Sequence, residues 1–146
     1  MQQLRGGNQT ILVVDNDILQ GKVLSHLLGK LNYRIYTFRR GEDALAFLRE
    51  HHVDLLLLDV PLGDGIDGVE TYRRVRREHP DQKTIVMTGL AGTKQLTELI
   101  RLGIKTWARK PLTPQMLANT IRQELDRREE LTVRGDTCVT GDRLRA

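Results

Sequence analysis

The chain has one cysteine, Cys138, among its 146 residues. An internal disulfide is excluded, and a thiolate-built zinc site has no spacing to rest on. A lone cysteine fits a reducing compartment, so a cytoplasmic location is expected. No apolar run approaches the ~20 residues that span a bilayer. The opening MQQLRGGNQT has no apolar segment and does not read as a signal peptide. No membrane association is expected. The sequence also lacks internal repeats, low-complexity stretches, a helix-turn-helix pattern and any aromatic–basic platform for bases to stack on.

What is present is ordinary for a globular domain, with 39% hydrophobic and 29% charged residues. The formal charge is +4 and the isoelectric point about 9.5. Basicity alone is weak grounds for a nucleic-acid partner. The one arginine cluster, RRVRR at 73–77, spreads around a helix as a solvated face would. No direct nucleic-acid binding is expected. The length suits one domain. The pattern places it over 10–130, after an extension over 1–9 and before a tail over 131–146 that has little periodicity.

Five short apolar runs recur: TILVV (10–14), RIYTF (34–38), DLLLLD (54–59), TIVMT (84–88) and TWARK (106–110). The first, third and fourth are nearly continuous, as strands buried on both faces are. Between them lie helical stripes. Leu24, Leu27, Leu28 and Leu31 fall at i, i+3, i+4, i+7. Asp67 with Glu70 reads as a capping pair, and Thr113-Pro114 as a cap followed by proline at the first helical position. Gly29, Pro80 and Gly103 punctuate helix ends. Strict βα alternation predicts an α/β fold: a doubly wound five-stranded parallel sheet, flavodoxin-like (βα)5, in strand order 2-1-3-4-5.

Ligands in such sheets bind at the carboxyl ends of the strands. That rim collects Asp15, Asn16, Asp17, Asp59, Thr88 and Lys110. Neighbouring acids repel unless a cation joins them, and hard oxygen donors with few histidines favour Mg²⁺. The lysine and the threonine hydroxyl suit phosphoryl oxygens. Together they point to phosphoryl transfer onto a carboxylate, Asp59. The glycines of GDGIDG (63–68) match the G-x-G-x-x-G of a dinucleotide loop, but Asp59 would repel a pyrophosphate and no acid ends the next strand to hold a ribose. They read as turn residues.

Residues 10–128 resemble the receiver domain of two-component response regulators. The motifs ILVVDND, LLLLD, IVMTG and WARKP occur in the family's order and spacing. The resemblance implies that a histidine kinase, or a histidine phosphotransfer protein, phosphorylates Asp59. It places Thr88 and Lys110 beside Asp59 in the transfer. It assigns Mg²⁺ to Asp15, Asn16, Asp59 and the backbone carbonyl of Pro61. It makes Thr88 and Trp107 the switch pair, although Trp107 also reads as a core aromatic. It implies a cis Lys110-Pro111 bond, no enzymatic activity beyond self-phosphorylation and dephosphorylation, and output to a protein target through the fourth helix, fifth strand and fifth helix. A homodimer stays open. LGDGIDGVETYRR is similar to receivers attached to hybrid sensor kinases, so the chain can be one module of a larger protein.

Two departures bear on function. The family carries an acid where this chain has Asn16, which leaves one net negative charge over Asp15, Asp59 and Lys110 instead of two. Weaker Mg²⁺ binding is expected, with Asp17 able to compensate. Leu90 and Pro61 are apolar where family members often orient water, which implies slow loss of the phosphoryl group. The alternatives are a pseudo-receiver, acting as a phosphate-independent interaction module, and an aspartyl-phosphate phosphatase. The phosphatase would want an aspartate at position 61. The bland reading of Asp15 is the N-cap of the first helix.

Overall fold

The computed structural model describes residues 6–60, 66–89 and 94–128. Five strands alternate with five helices: β1 Thr10–Val14, α1 Ile18–Lys30, β2 Arg34–Phe38, α2 Gly41–Glu50, β3 Leu55–Val60, α3 Gly68–Glu78, β4 Thr84–Thr88, α4 Lys94–Leu102, β5 Thr106–Arg109 and α5 Pro114–Asp126. The strands are parallel, in the order β2-β1-β3-β4-β5. This is the expected doubly wound sheet.

Side chains alternate across each strand, so one sequence run serves two cores. Ile11, Val13, Leu55, Leu57, Ile85 and Met87 pack under α1 and α5. Leu12, Val14, Leu56, Leu58 and Val86 pack under α2, α3 and α4. Every residue of β3 and β4 is buried, which is why their sequences show no polar alternation. β2 and β5 are the sheet edges and carry exposed residues.

The capping predictions hold at two helices. Asp67 accepts from the Glu70 amide at 2.7 Å, and Thr113 Oγ1 accepts from the Met116 amide at 3.1 Å, with Pro114 behind it. The Glu70 carboxylate turns to Arg73 and Arg74 instead of returning to the cap, so only half of the capping box forms. At α1 the bland reading of Asp15 as the cap does not hold. Its N-cap is Asp17, which accepts from the Leu19 and Gln20 amides at 2.9 and 3.3 Å. Gly29 does not end that helix. The chain turns at Asn32, whose φ of 74° a short polar side chain tolerates. Gly103, at φ 113°, ends α4 as expected.

Candidate functional site

The parallel sheet brings the carboxyl ends of its strands to one edge. Asp15 follows β1, Asp59 lies one residue before the end of β3, Thr88 ends β4 and Lys110 follows β5. The ladder continues past β5, since the Lys110 amide donates to the Thr88 carbonyl at 2.8 Å. The Lys110-Pro111 peptide is cis.

Asp15 and Asp59 are 4% and 6% exposed, so both carboxylates are largely withdrawn from water. The Lys110 ammonium donates to Asp59 Oδ1 and forms its ion pair. Asp15 Oδ1 accepts from the Asp17 amide at 2.9 Å. Burial raises the Asp15 pKa above the ordinary carboxylate value. The Asp17 amide opposes that rise and the charge of Asp59 adds to it.

Two oxygens in this group are unmet. Asp15 Oδ2 and Asn16 Oδ1 are buried and have no hydrogen-bond partner among the described residues. Buried polar atoms are ordinarily satisfied, and an exception calls for an explanation. Both residues line one cleft of about 840 Å³ with Asp59 and Lys110. The donors are all hard oxygens, which suits Mg²⁺. Among the described residues no three His, Cys, Asp or Glu side chains converge as a metal set, as an asparagine at position 16 dictates. Asp17 lines the same cleft, with its Oδ1 engaged in capping α1. Pro61 and Leu90 lie outside the described residues, as does the 131–146 tail.

Thr88 stands on the same rim, 4% exposed, but on the other face of the sheet. It pairs in register with Val60, whose side chain packs under α2 to α4, whereas Asp59 pairs with Met87 on the α1–α5 face. Trp107 is not a core aromatic. It is 43% exposed on edge strand β5, and alternation with Ala108 sets it on the α4 side, the side of Thr88.

The cleft extends beyond the rim residues that the sequence reading assigned to the site. From the acids it runs between α1 and α5, lined by Val23, Leu24, Leu27, Leu112 and Leu117. Of that lining Val23 is half exposed, and on the two flanking helices Ile18, Leu19 and Met116 are also about half exposed or more. Ile18, Leu19 and Val23 fall off the helical stripe of core leucines, and α1 has no acidic residue. Those two facts together were the available signal.

The arginine cluster is more engaged than a plain solvated face, with only Arg77 of the four exposed. Arg73 pairs with Glu70 and with Glu98 of α4, Arg74 pairs with Glu70, and Arg76 donates to the Leu102 carbonyl at 3.2 Å. These cations tie α3 to its surroundings and do not form a phosphate track. No helix among the described residues is long and apolar enough to cross a membrane.

Comparison with known proteins agrees with this geometry. Residues 11–122 match the family described as response regulator receiver domain. The transcriptional regulatory protein ZraR of Salmonella typhimurium is 31% identical over 119 residues, which cover 82% of this chain and 27% of that protein. The probable transcriptional regulator ycf27 of Cyanophora paradoxa is 31% identical over 134 residues, 92% of this chain and 55% of that one. The chain thus spans about a quarter to a half of these relatives' length. Among solved structures, a CheY-like receiver domain protein from Methanospirillum hungatei superposes with a TM-score of 0.77 at 25% identity, covering 82% of this chain and 95% of that one. The BeF3-activated DrrB receiver domain superposes at 0.72 with 30% identity, covering 83% of this chain and all of that one. This chain belongs to the response regulator receiver domain family of two-component signal transduction.

Proposed function

We propose that this chain is a phosphorylation-switched receiver that accepts a phosphoryl group on Asp59 from the phosphohistidine of a kinase or phosphotransfer protein. The observation that carries this reading is the pair of unmet buried oxygens, Asp15 Oδ2 and Asn16 Oδ1, beside the Asp59–Lys110 ion pair. What sets them apart from other unmet atoms is their company: both face one cleft with Asp59 and Lys110, where a cation could meet them. Asp15, Asn16 and Asp59, with the Pro61 carbonyl, would hold Mg²⁺, which when bound supplies positive charge against the phosphoryl oxygens.

The chemistry of the chain's own groups follows. An Asp59 carboxylate oxygen attacks phosphorus as the phosphorus–nitrogen bond breaks, and that bond's electron pair returns to the donor imidazole, which, already protonated on its other nitrogen, leaves neutral. Lys110 stays within reach of one phosphoryl oxygen, so the charge that spreads over those oxygens in transfer meets a fixed cation. The apolar wall of Val23, Leu24, Leu27 and Leu112 supports docking of the donor beside the acids, where excluded water would strengthen these interactions. Phosphorylation adds about −1.5 to −2 charges. Thr88 would then turn toward the phosphoryl group from the α4 side and carry Trp107 with it, altering the face of α4, β5 and α5 that a downstream protein reads. The domain is proposed to occupy 10–130 and to work in the cytoplasm.

The test is to incubate the chain with Mg²⁺ and acetyl phosphate and measure its mass. Gain of one phosphoryl group, lost in Asp59→Asn, is expected. Wild type that gains none would establish the second reading, a phosphate-independent pseudo-receiver, for which Asn16 is the supporting observation. Asn16 also yields a graded prediction. Asn16→Asp adds one full negative charge beside a divalent ion and is expected to tighten Mg²⁺ about tenfold, read by titration calorimetry. Equal affinities would remove Asn16 as the weak point of the site.

A further inference from the structure

β2 is the outermost strand on its side of the sheet, and among the described residues no strand lies beyond it. Two backbone bonds fix which way its residues face. The Arg34 amide donates to the Gln9 carbonyl at 2.9 Å, and the Asp15 amide donates to the Phe38 carbonyl at 3.0 Å. Along a parallel strand, alternate residues turn their N–H and C=O to the same neighbour. Arg34, Tyr36 and Phe38 therefore face β1, in register with Thr10, Leu12 and Val14. Ile35 and Thr37 turn both backbone groups outward. Such an edge is ordinarily guarded by lysine, proline or a bulge. β2 has none of them: it reads RIYTF, and its register with β1 is unbroken. Aromatic rings gather on it instead. Tyr36 is exposed, its ring centroid 4.8 Å from that of Phe47 on α2, and Phe38 lies 5.4 Å from the same ring. Both phenylalanines of the chain are in this group.

We infer that β2 pairs antiparallel with β2 of a second copy of the chain, about a two-fold axis through Tyr36. The register follows from the backbone. Outward groups must meet outward groups, so Ile35 pairs with Thr37 of the other copy, each giving and taking one N–H···O=C bond, and symmetry repeats the pair. Tyr36 then faces Tyr36, and Arg34 faces Phe38, at the positions where opposing side chains come closest. One face of the joined sheet sets tyrosine against tyrosine and a guanidinium beside a phenylalanine ring. The other sets isoleucine against threonine. Pairs of these kinds stabilise antiparallel strands. Sliding the strands one way sets Arg34 opposite Arg40, two like charges. Sliding them the other way calls on the Tyr33 amide, which already donates to the Leu28 carbonyl at 3.2 Å. The charge around the strand is mixed, with Arg34 and Arg39 exposed beside Asp43 and Glu50 of α2, so neither an acidic nor a basic foreign segment is preferred to a self-complementary copy. β2 lines no part of the cleft that holds Asp59 and lies across the sheet from β5, so the contact is separate from the phosphorylation reading.

Sedimentation velocity of the full chain over a concentration series tests this. A contact built on one short strand is smaller than a standard interface, so half-association near ~0.1 mM is expected. Tyr36→Lys sets two ammonium groups face to face at the axis. Thr37→Pro removes an outward amide and leaves the bonds to β1 intact. Each is expected to weaken association at least about tenfold, with circular dichroism confirming that both variants fold. Trp107→Lys, on the opposite edge, should leave association unchanged. Mild oxidation in a Cys138→Ser background reads the register. Tyr36→Cys is expected to give a disulfide-linked dimer, because facing Cα atoms come within about 4.5–5.5 Å. Thr37→Cys should give none, since its two copies lie beyond the roughly 7 Å that a disulfide can span. The inference is overturned if the chain stays monomeric at about 1 mM, well above the expected midpoint, or if both β2 variants associate as wild type does. It is also overturned if Trp107→Lys abolishes association, or if Thr37→Cys or Trp107→Cys cross-links as readily as Tyr36→Cys.

Discussion

Replacing Lys110 with alanine is expected to slow phosphoryl gain at Asp59 roughly a hundredfold and, at the same time, to tighten Mg²⁺ binding. Lys110 is the cation paired with Asp59. In the resting site it offsets one of two buried carboxylates, which lowers the attraction of the cleft for a divalent ion. In transfer it faces the charge that develops on the phosphoryl oxygens, and there nothing else among the described residues replaces it. The two effects therefore have opposite signs. A lysine that only propped up the fold would weaken both when removed, so the sign of the Mg²⁺ change separates the roles. Lys110→Arg keeps the charge and should retain much of the metal affinity of wild type. Mass time courses with acetyl phosphate and Mg²⁺ calorimetry read the two quantities. Phosphoryl gain by Lys110→Ala at the wild-type rate would show that Lys110 takes no part in transfer.

The strands were legible because burial leaves a mark on composition. β1, β3 and β4 lie between two helical layers, so their apolar runs carry no alternation and stand out in the sequence. Their ends were read less well. β3 runs one residue past Asp59, to Val60, because Val60 still pairs with Thr88. The start of α1 was ambiguous in one dimension. Asp15 and Asp17 are both good caps, two residues apart, and only the path of the chain decides that Asp17 caps while Asp15 receives the Asp17 amide. That choice has a functional consequence, since it ties one Asp17 oxygen to the helix while both residues keep their place in the cleft.

The rim of the site was legible for a related reason: parallel strands must deliver their last residues to one edge. What spacing could not convey is the face. Asp59 and Thr88 end adjacent strands, yet the register offsets them by one residue and alternation sets them on opposite sides of the sheet. The acceptor thus opens on the α1–α5 cleft, and the hydroxyl sits with Trp107 on the α4 side. The exposed apolar residues of α1 were missed because Ile18, Leu19 and Val23 look like more core residues until the helix is docked and its stripe is seen to be Leu24 and Leu28.

Two-sided burial carries the second large prediction. Leu57→Ala and Leu58→Ala are each expected to cost about 2–5 kcal/mol of folding free energy. A domain of this kind has about 5–15 kcal/mol in all. Both side chains are fully buried on the central strand of the sheet. Leu57 packs under α1 and α5, and Leu58 under α2 to α4. A sheet with one wet face would show alternation along the strand, one substitution costly and its neighbour cheap. Comparable losses at adjacent positions are what the doubly wound arrangement requires, because neither face has water to fill the space left by the missing methyl groups. Urea denaturation measures the difference through the shift in midpoint at unchanged slope. The pair also tests how the acceptor is supported. Leu57 lies two residues before Asp59 on the same face of β3, so its loss should slow phosphorylation at Asp59 more than the loss of Leu58, even where the two cost the fold the same.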